Sequence, residues 1–264
     1  MATIAKLTKQ KDGPMQIKGR VALVTGAGAG IGRATALELG REGAAVVIDD
    51  IDLTAGKDAV REIKRSGARA AFIRADIGKE ADLRSMFDFT RRTFGGLDIL
   101  VNNAGFYLTP PFFPRARPER WYRVVDVYLR AVMLATQYGI EAIKKRGGGA
   151  IVNVSSMAGI GYAVHDLPEY AASKAGVIRF TSCLAPLKEE YGIRVNCICP
   201  GWTATKAGLR TLARMTPKER ASVPPLIRPE EIARATLRLI RDDALAGRVM
   251  LCDQDQRWRL VSQS

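Results

Sequence analysis

Val21-Ala22-Leu23-Val24-Thr25-Gly26-Ala27-Gly28-Ala29-Gly30-Ile31-Gly32 reads as a buried strand, a glycine turn and the start of a helix that runs on through Leu39. Glycines let the backbone turn tightly and approach a pyrophosphate, whose charge then meets the free N–H groups and the positive dipole end of the helix. The spacing is T-G-x-x-x-G-x-G, not the commoner G-x-G-x-x-G, and it points to one kind of dinucleotide fold. Gly26, Gly28, Gly30, Ile31 and Gly32 are therefore candidate cofactor contacts.

A second strand over 45–48 ends at Asp49-Asp50. A carboxylate about 20 residues beyond the glycine turn is placed to accept hydrogen bonds from adenosine ribose hydroxyls, and it repels a 2′-phosphate. Ala29 stands where a basic residue in the loop would bind that phosphate. NAD is favoured over NADP, with Asp50 the better candidate; Asp49 also suits a strand-terminal turn. A helix over 54–66, a strand over 70–74, Asp76-Ile77 beside an expected adenine, a helix over 79–94 and a strand over 97–101 follow, ending at Asn102-Asn103-Ala104-Gly105. Regular alternation of this kind predicts a parallel sheet covered on both faces, with ligands at the carboxyl ends of the strands.

Tyr170 and Lys174 lie four residues apart on a predicted helix over 169–191, hence on one face. A nearby ammonium lowers a phenol from its ordinary pKa of ~10 by about 1 to 3 units, which brings it within reach of proton exchange at neutral pH.

Thr25-Gly26-x-x-x-Gly30-x-Gly32, Asp76-Ile77, Asn102-Asn103-Ala104-Gly105, Ser156, Tyr170-x-x-x-Lys174 and Pro200-Gly201 with Thr205 make the chain resemble the short-chain dehydrogenase/reductase family over about 18–252. The resemblance implies an α/β fold, a Rossmann-type doubly wound seven-stranded parallel sheet with helices on both faces. It implies hydride transfer between a nicotinamide cofactor and a secondary alcohol or ketone, with Ser156 fixing the substrate oxygen and Tyr170 exchanging the proton. Lys174 would hold the nicotinamide ribose. Asn103, Ala104, Gly105, Pro200, Gly201, Thr203 and Thr205 would complete the cofactor site. Packing of the fourth and fifth helices against a second copy implies a homodimer or homotetramer. Pro224-Pro225-Leu226-Ile227 and the 242–247 segment look similar to the hydroxyprostaglandin dehydrogenase branch, which oxidises secondary alcohols on apolar molecules using NAD.

Three departures stand out. Within a helix over 118–145, Tyr128 occupies the place of a family asparagine that holds a water linking the lysine to solvent. Ser156 stands fourteen residues before Tyr170 where thirteen is usual, so the loop carries one inserted residue. Asp253-Gln254-Asp255-Gln256 replaces a usual Asp-Gly-Gly.

The chain is 264 residues long and 47% hydrophobic, and it reads as one catalytic domain over 18–264 behind a mobile basic tail over 1–17, with Met15 an alternative start. It has no apolar run long enough for a bilayer, and the first twenty residues lack a secretory apolar core, which points to the cytoplasm. Cys183, Cys197, Cys199 and Cys252 show no metal spacing and read as buried thiols. The net charge of +14 is spread over helix faces interleaved with acids, which argues against nucleic acid or membrane partners. Arg115, Arg117, Arg120 and Arg123 cluster beside the expected pocket. Phe106, Tyr107, Phe112, Phe113 and Trp202 suggest an apolar or aromatic substrate, the arginines permit a carboxylate, and 203–225 reads as a substrate lid. His165, the only histidine, reads as a loop residue. The competing readings are an NADP-dependent biosynthetic carbonyl reductase and a weakly catalytic cofactor-binding regulator.

Overall fold

The computed structural model describes residues 14–253 and 258–262. Seven parallel strands, β1 (Val21–Thr25), β2 (Ala45–Asp49), β3 (Ala70–Ile73), β4 (Ile99–Asn102), β5 (Gly149–Val154), β6 (Ile193–Pro200) and β7 (Val249–Cys252), lie in the order β3-β2-β1-β4-β5-β6-β7. An eighth, β8 (Trp258–Leu260), pairs antiparallel with β7, so the expected count of seven is one short. Three residues with a single exposed arginine between Trp258 and Leu260 are too short an alternation to register as a strand, yet both apolar side chains pack on the core.

Strand residues alternate between two apolar layers. Ala22, Val24, Val46, Ile48, Ile99 and Val101 face one cluster; Leu23, Val47 and Leu100 face the other. Helices α1 (Gly30–Arg41), α2 (Leu53–Arg65) and α10 (Pro229–Arg241) contribute Leu39, Ile63 and Leu239 to the first layer. Helix α3 (Glu80–Phe94) and the long helix over 118–144 contribute Leu83, Met86 and Ile143 to the second. Burial on both faces explains why the strands read as continuous apolar runs. The connection from β1 leads to β2 on one side and the later strands extend from β4 on the other, so the crevice for a ligand opens where β1 and β4 end.

Two predicted helices are divided. The 118–145 helix comprises α4 (Pro118–Val125), a wider π-helical turn over Asp126–Arg130 and α5 (Ala131–Lys144), and Tyr128 lies in the wide turn. The 169–191 helix ends as α6 (Pro168–Cys183) and resumes as α7 (Leu187–Tyr191), because Pro186 has no N–H to continue the ladder. The lid contains α8 (Lys206–Arg214) and α9 (Pro217–Ala221), neither of which buries a residue.

The basic tail drawn over 1–17 extends too far. Met15 and Ile17 are core residues, and the Met15 N–H donates to the Arg241 carbonyl at 2.9 Å; two alternating apolar residues carry no readable period. Residues 1–13 of that tail and Gln254 to Gln256 lie outside the described residues. Cys197, Cys199 and Cys252 are buried free thiols, whereas Cys183 is exposed on the last turn of α6. No helix among the described residues is long and apolar enough to cross a membrane.

Asp49 is almost fully buried and its Oδ1 has no partner. Burial, then the charge of Asp50, pushes its carboxyl well above the usual range. A raised folded-state value means that the folded chain holds this proton more tightly, so the contribution is present below the unfolded pKa of ~3.9 and is lost as pH rises above it. Asp49→Asn is expected to flatten that decline in thermal melts between pH 4 and 8; an unchanged slope would show that Asp49 is not its source.

Candidate active site

The glycine turn leaves no room for side chains at its glycines. At Gly26, whose φ is +61°, a Cβ would lie 2.7 Å from Ala104 Cα, and at Gly28 it would lie 2.8 Å from Asp50 Oδ2. At Gly32 it would run into the Gly26 carbonyl oxygen and the Asn103 amide. Thr25 and Asn103 lock this turn to the end of β4: the Asn103 and Ala104 N–H groups donate to Thr25 Oγ1 at 2.9 and 3.0 Å, and Asn103 Nδ2 donates to the Thr25 carbonyl at 2.9 Å. Helix α1 begins at Ala29 with no side-chain cap, so its first N–H groups remain available to an anion. A cradle without Cβ atoms facing an uncapped helix start fits the pyrophosphate of a dinucleotide. Asp50 Oδ2 accepts the Gly28 N–H at 2.8 Å and Oδ1 accepts the Asp52 N–H at 2.9 Å, which holds the carboxylate beside the turn with lone pairs to spare for ribose hydroxyls.

Asp76 and Ile77 lie just beyond β3, where an arginine holds the Asp76 carboxylate. Arg123 Nη2 donates to Asp76 Oδ1 at 2.6 Å, and although burial opposes it, this bond holds the carboxyl below its usual range. Ile77 is buried in the second apolar layer, so its side chain supports the site from below. Around the turn after β6, Thr203 Oγ1 donates to the Gly201 carbonyl at 3.0 Å and Thr205 caps α8 by accepting the Gly208 N–H at 3.1 Å. The Gly201 N–H bonds the Cys252 carbonyl at 2.9 Å, pinning the segment after Pro200 to β7, and Thr205 Cγ2 lies 3.0 Å from where a Gly30 Cβ would be.

Ser156, Tyr170 and Lys174 converge at the end of β5. Lys174 is 4% exposed and its Nζ donates to the Val154 carbonyl at 2.8 Å; Ser155 Oγ donates to the Lys174 carbonyl at 2.7 Å. Gly159 presses on α6 so closely that a Cβ would lie 2.7 Å from the Lys174 carbonyl carbon. Ser156 Oγ accepts the Ala158 N–H at 3.1 Å and lies beside the Tyr170 phenol. His165 Nδ1 accepts the Leu167 N–H at 3.1 Å, and its ring stands 6.1 Å from that of Tyr170.

The expected charge coupling is reversed here. Burial pushes the Tyr170 phenol up, against the pull of the Ser156 hydroxyl, and burial pushes the Lys174 ammonium down to about 8. The reason is geometric. Lys174 Nζ is turned to the Val154 carbonyl and rests over the faces of Tyr128, 4.9 Å away, and Tyr170, 5.7 Å away, without donating to the phenol.

Tyr128 was legible as a departure but not as a structural member. Its ring packs edge-on to Tyr170 with centroids 5.0 Å apart, and its hydroxyl donates to the Phe106 carbonyl at 2.5 Å and accepts the Phe106 N–H at 2.9 Å. The hydroxyl is thus committed to the backbone of the expected pocket wall. The Val154 carbonyl and Ser155 were missed as anchors of Lys174, since every residue has a carbonyl and a strand-end serine carries no signature of its partner.

The short chain dehydrogenase family model matches residues 20–214. The chain is 38% identical over 228 residues to cyclohexanol dehydrogenase of Acinetobacter sp. (strain SE19), covering 85% of this chain and 89% of that one. It is 35% identical over 253 residues to 15-hydroxyprostaglandin dehydrogenase [NAD(+)] of Macaca fascicularis, covering 89% and 91%. A crystal structure of 7α-hydroxysteroid dehydrogenase with NADH and 7-oxo glycochenodeoxycholic acid superposes with a TM-score of 0.79 at 31% identity, over 89% of this chain and 93% of that one.

Two variants test the site's internal supports. A depressed folded-state lysine costs stability in full below its folded pKa, and the cost shrinks as pH rises through the window from about 8 to the unfolded ~10.4. Lys174→Met is therefore expected to raise stability at pH 7 by up to ~3 kcal/mol, a gain that fades toward pH 10 in denaturant titrations; a loss of stability at pH 7 would contradict it. Tyr128→Phe removes two hydrogen bonds to Phe106 and is expected to lower stability by about 1 to 2 kcal/mol. Protection of the Phe106 amide from hydrogen exchange should fall with it, and unchanged protection would dismiss the clamp.

Proposed function

The chain belongs to the short-chain dehydrogenase/reductase family, and from that premise we propose that it is an NAD-dependent oxidoreductase interconverting secondary alcohols and ketones on an apolar, alicyclic or aromatic molecule. The observation that carries this reading is the gathering of Ser156, Tyr170 and Lys174 at the carboxyl edge of the sheet, on the same edge as the glycine cradle. The nicotinamide, when bound, supplies the redox chemistry. Gly26, Gly28, Gly30, Ile31 and Gly32 would hold the pyrophosphate, Asp50 the adenosine ribose, and Asn103 to Gly105 the inner wall. Lys174 would hold the nicotinamide ribose, and Pro200, Gly201, Thr203 and Thr205 the carboxamide side.

The chain's own residues divide the proton work. The Ser156 hydroxyl donates to the substrate oxygen and fixes it within reach of the Tyr170 phenol. In alcohol oxidation Tyr170 Oη, as phenolate, takes the hydroxyl proton; in ketone reduction it gives that proton back. Burial favours the protonated phenol in this structure, so oxidation is expected to quicken as pH rises through the alkaline range while reduction is favoured near neutrality. Asp50 supports NAD over NADP, since its carboxylate sits at the Gly28 N–H and would repel a 2′-phosphate. The NAD(+) of the hydroxyprostaglandin relative and the NADH of the hydroxysteroid dehydrogenase structure support this choice. A homodimer through the outer faces of α5 and α6 accompanies the reading, supported by Met133 at 43% exposure on α5, and light scattering at micromolar concentration would test it.

Tyr170→Phe is the direct test. The variant is expected to bind NADH with near wild-type affinity and to lose about 10²- to 10⁴-fold in turnover of a secondary alcohol. Turnover within a few fold of wild type would remove Tyr170 from the proton step, and loss of NADH binding would instead mean that the ring supports the cofactor.

A further inference from the structure

Half of the formal net charge of +14 sits on two short segments beside the carboxyl edge of the sheet. Segment 104–123, after β4, and segment 203–223, after β6, hold nine lysines and arginines against two acids. The rest of the excess is diluted over about five times as many residues. A local imbalance of this size at a cleft attracts anions.

Helix α8 focuses the imbalance. Lys206, Arg210 and Arg214 recur every four residues and so form one stripe, exposed along its length. Elsewhere arginines find an acid one turn away, as in Arg41 with Glu38, Arg84 with Glu80 and Arg91 with Asp88. Helix α8 contains no acid, and spacing like charges in this way weakens a helix unless something else is gained. The Arg214 guanidinium lies 5.2 Å over the Tyr107 ring, which turns the stripe toward the segment after β4. Tyr107 follows Phe106, which Tyr128 clamps, and Tyr128 packs on Tyr170. Through Arg214 the stripe adjoins the segment that Tyr128 ties to Tyr170.

The other borders supply no competing explanation. Arg120 is bound to the Thr109 carbonyl at 2.5 Å and Arg123 to Asp76, which leaves Arg115 and Arg117 on the facing segment. The segment 157–169 carries Asp166 and Glu169 and no lysine or arginine, so the cations are confined to two sides of the cleft.

We propose that the substrate bears a carboxylate at the end remote from its carbinol, and that Lys206, Arg210 and Arg214 receive it; the proposal rests on the dehydrogenase reading above. Arginine forks match a carboxylate in two parallel hydrogen bonds, and α8, which buries nothing, can settle onto the ligand that neutralises it.

The test compares 4-hydroxycyclohexanecarboxylate with 4-methylcyclohexanol, which share the ring and the carbinol. The wild-type protein is expected to favour the carboxylate about tenfold or more in kcat/KM, with the preference shrinking in about 0.5 M salt. Arg210→Glu should lower the ratio of the two kcat/KM values by about tenfold or more. A readout independent of turnover is the melting temperature with cyclohexanecarboxylate alone, which should rise for wild type and not for Arg210→Glu. Equal kcat/KM values with no ligand-induced shift overturn the proposal. A shift in wild type that the variant lacks, together with no turnover of any alcohol, retains the anion site and removes the dehydrogenase reading.

Discussion

The hydrogen bond from the buried Lys174 ammonium to the Val154 carbonyl fixes helix α6 against the end of β5, and the arrangement of the site follows from it. A lysine taken out of water without a carboxylate partner is costly, and its pKa near 8 records that cost. What compensates is a set of weaker contacts that meet only in this geometry: one carbonyl, two aromatic faces and the Ser155 hydroxyl on the lysine's own backbone. Movement of α6 by a fraction of its diameter would separate them. The cost is local, and the same geometry brings the Tyr170 phenol beside the Ser156 hydroxyl at the strand end.

The other half of the site depends on exclusion. The turns after β1 and β4 approach so closely that Gly26 and Gly32 admit no Cβ, and Thr25 with Asn103 ties the two turns by hydrogen bonds. Both strands belong to the switch point of the sheet, where the chain order reverses and neighbouring loops part. The glycine cradle and the Ser156, Tyr170 and Lys174 cluster thus share one edge because the strands leading to them all point the same way.

Much of this was legible in the sequence. Strands buried on both faces read as apolar runs, and the glycine turn declared itself by spacing. The pairing of Tyr170 with Lys174 on one face of α6 followed from the helical period. What failed to show lies in non-local geometry. The wide turn around Tyr128, the attachment of its hydroxyl to Phe106 and the Val154 anchor join residues far apart in the chain through groups that every residue carries. The direction of the Tyr170 shift was misjudged for the same reason: adjacency on a helix brought the ammonium near the ring, while a carbonyl on another element decided where it points. Met15, Ile17 and β8 were missed because their apolar alternation is too short to form a pattern.

The account is tested most directly by following reduced nicotinamide formation when the purified protein meets a saturating apolar secondary alcohol with NAD or with NADP at alkaline pH. It predicts alcohol-dependent reduction of NAD, with NADP at least about tenfold less effective because the Asp50 carboxylate would repel its 2′-phosphate. Equal use of both nucleotides would contradict the role given to Asp50, and binding of NAD without turnover across a broad alcohol panel would contradict the catalytic role of the trio itself.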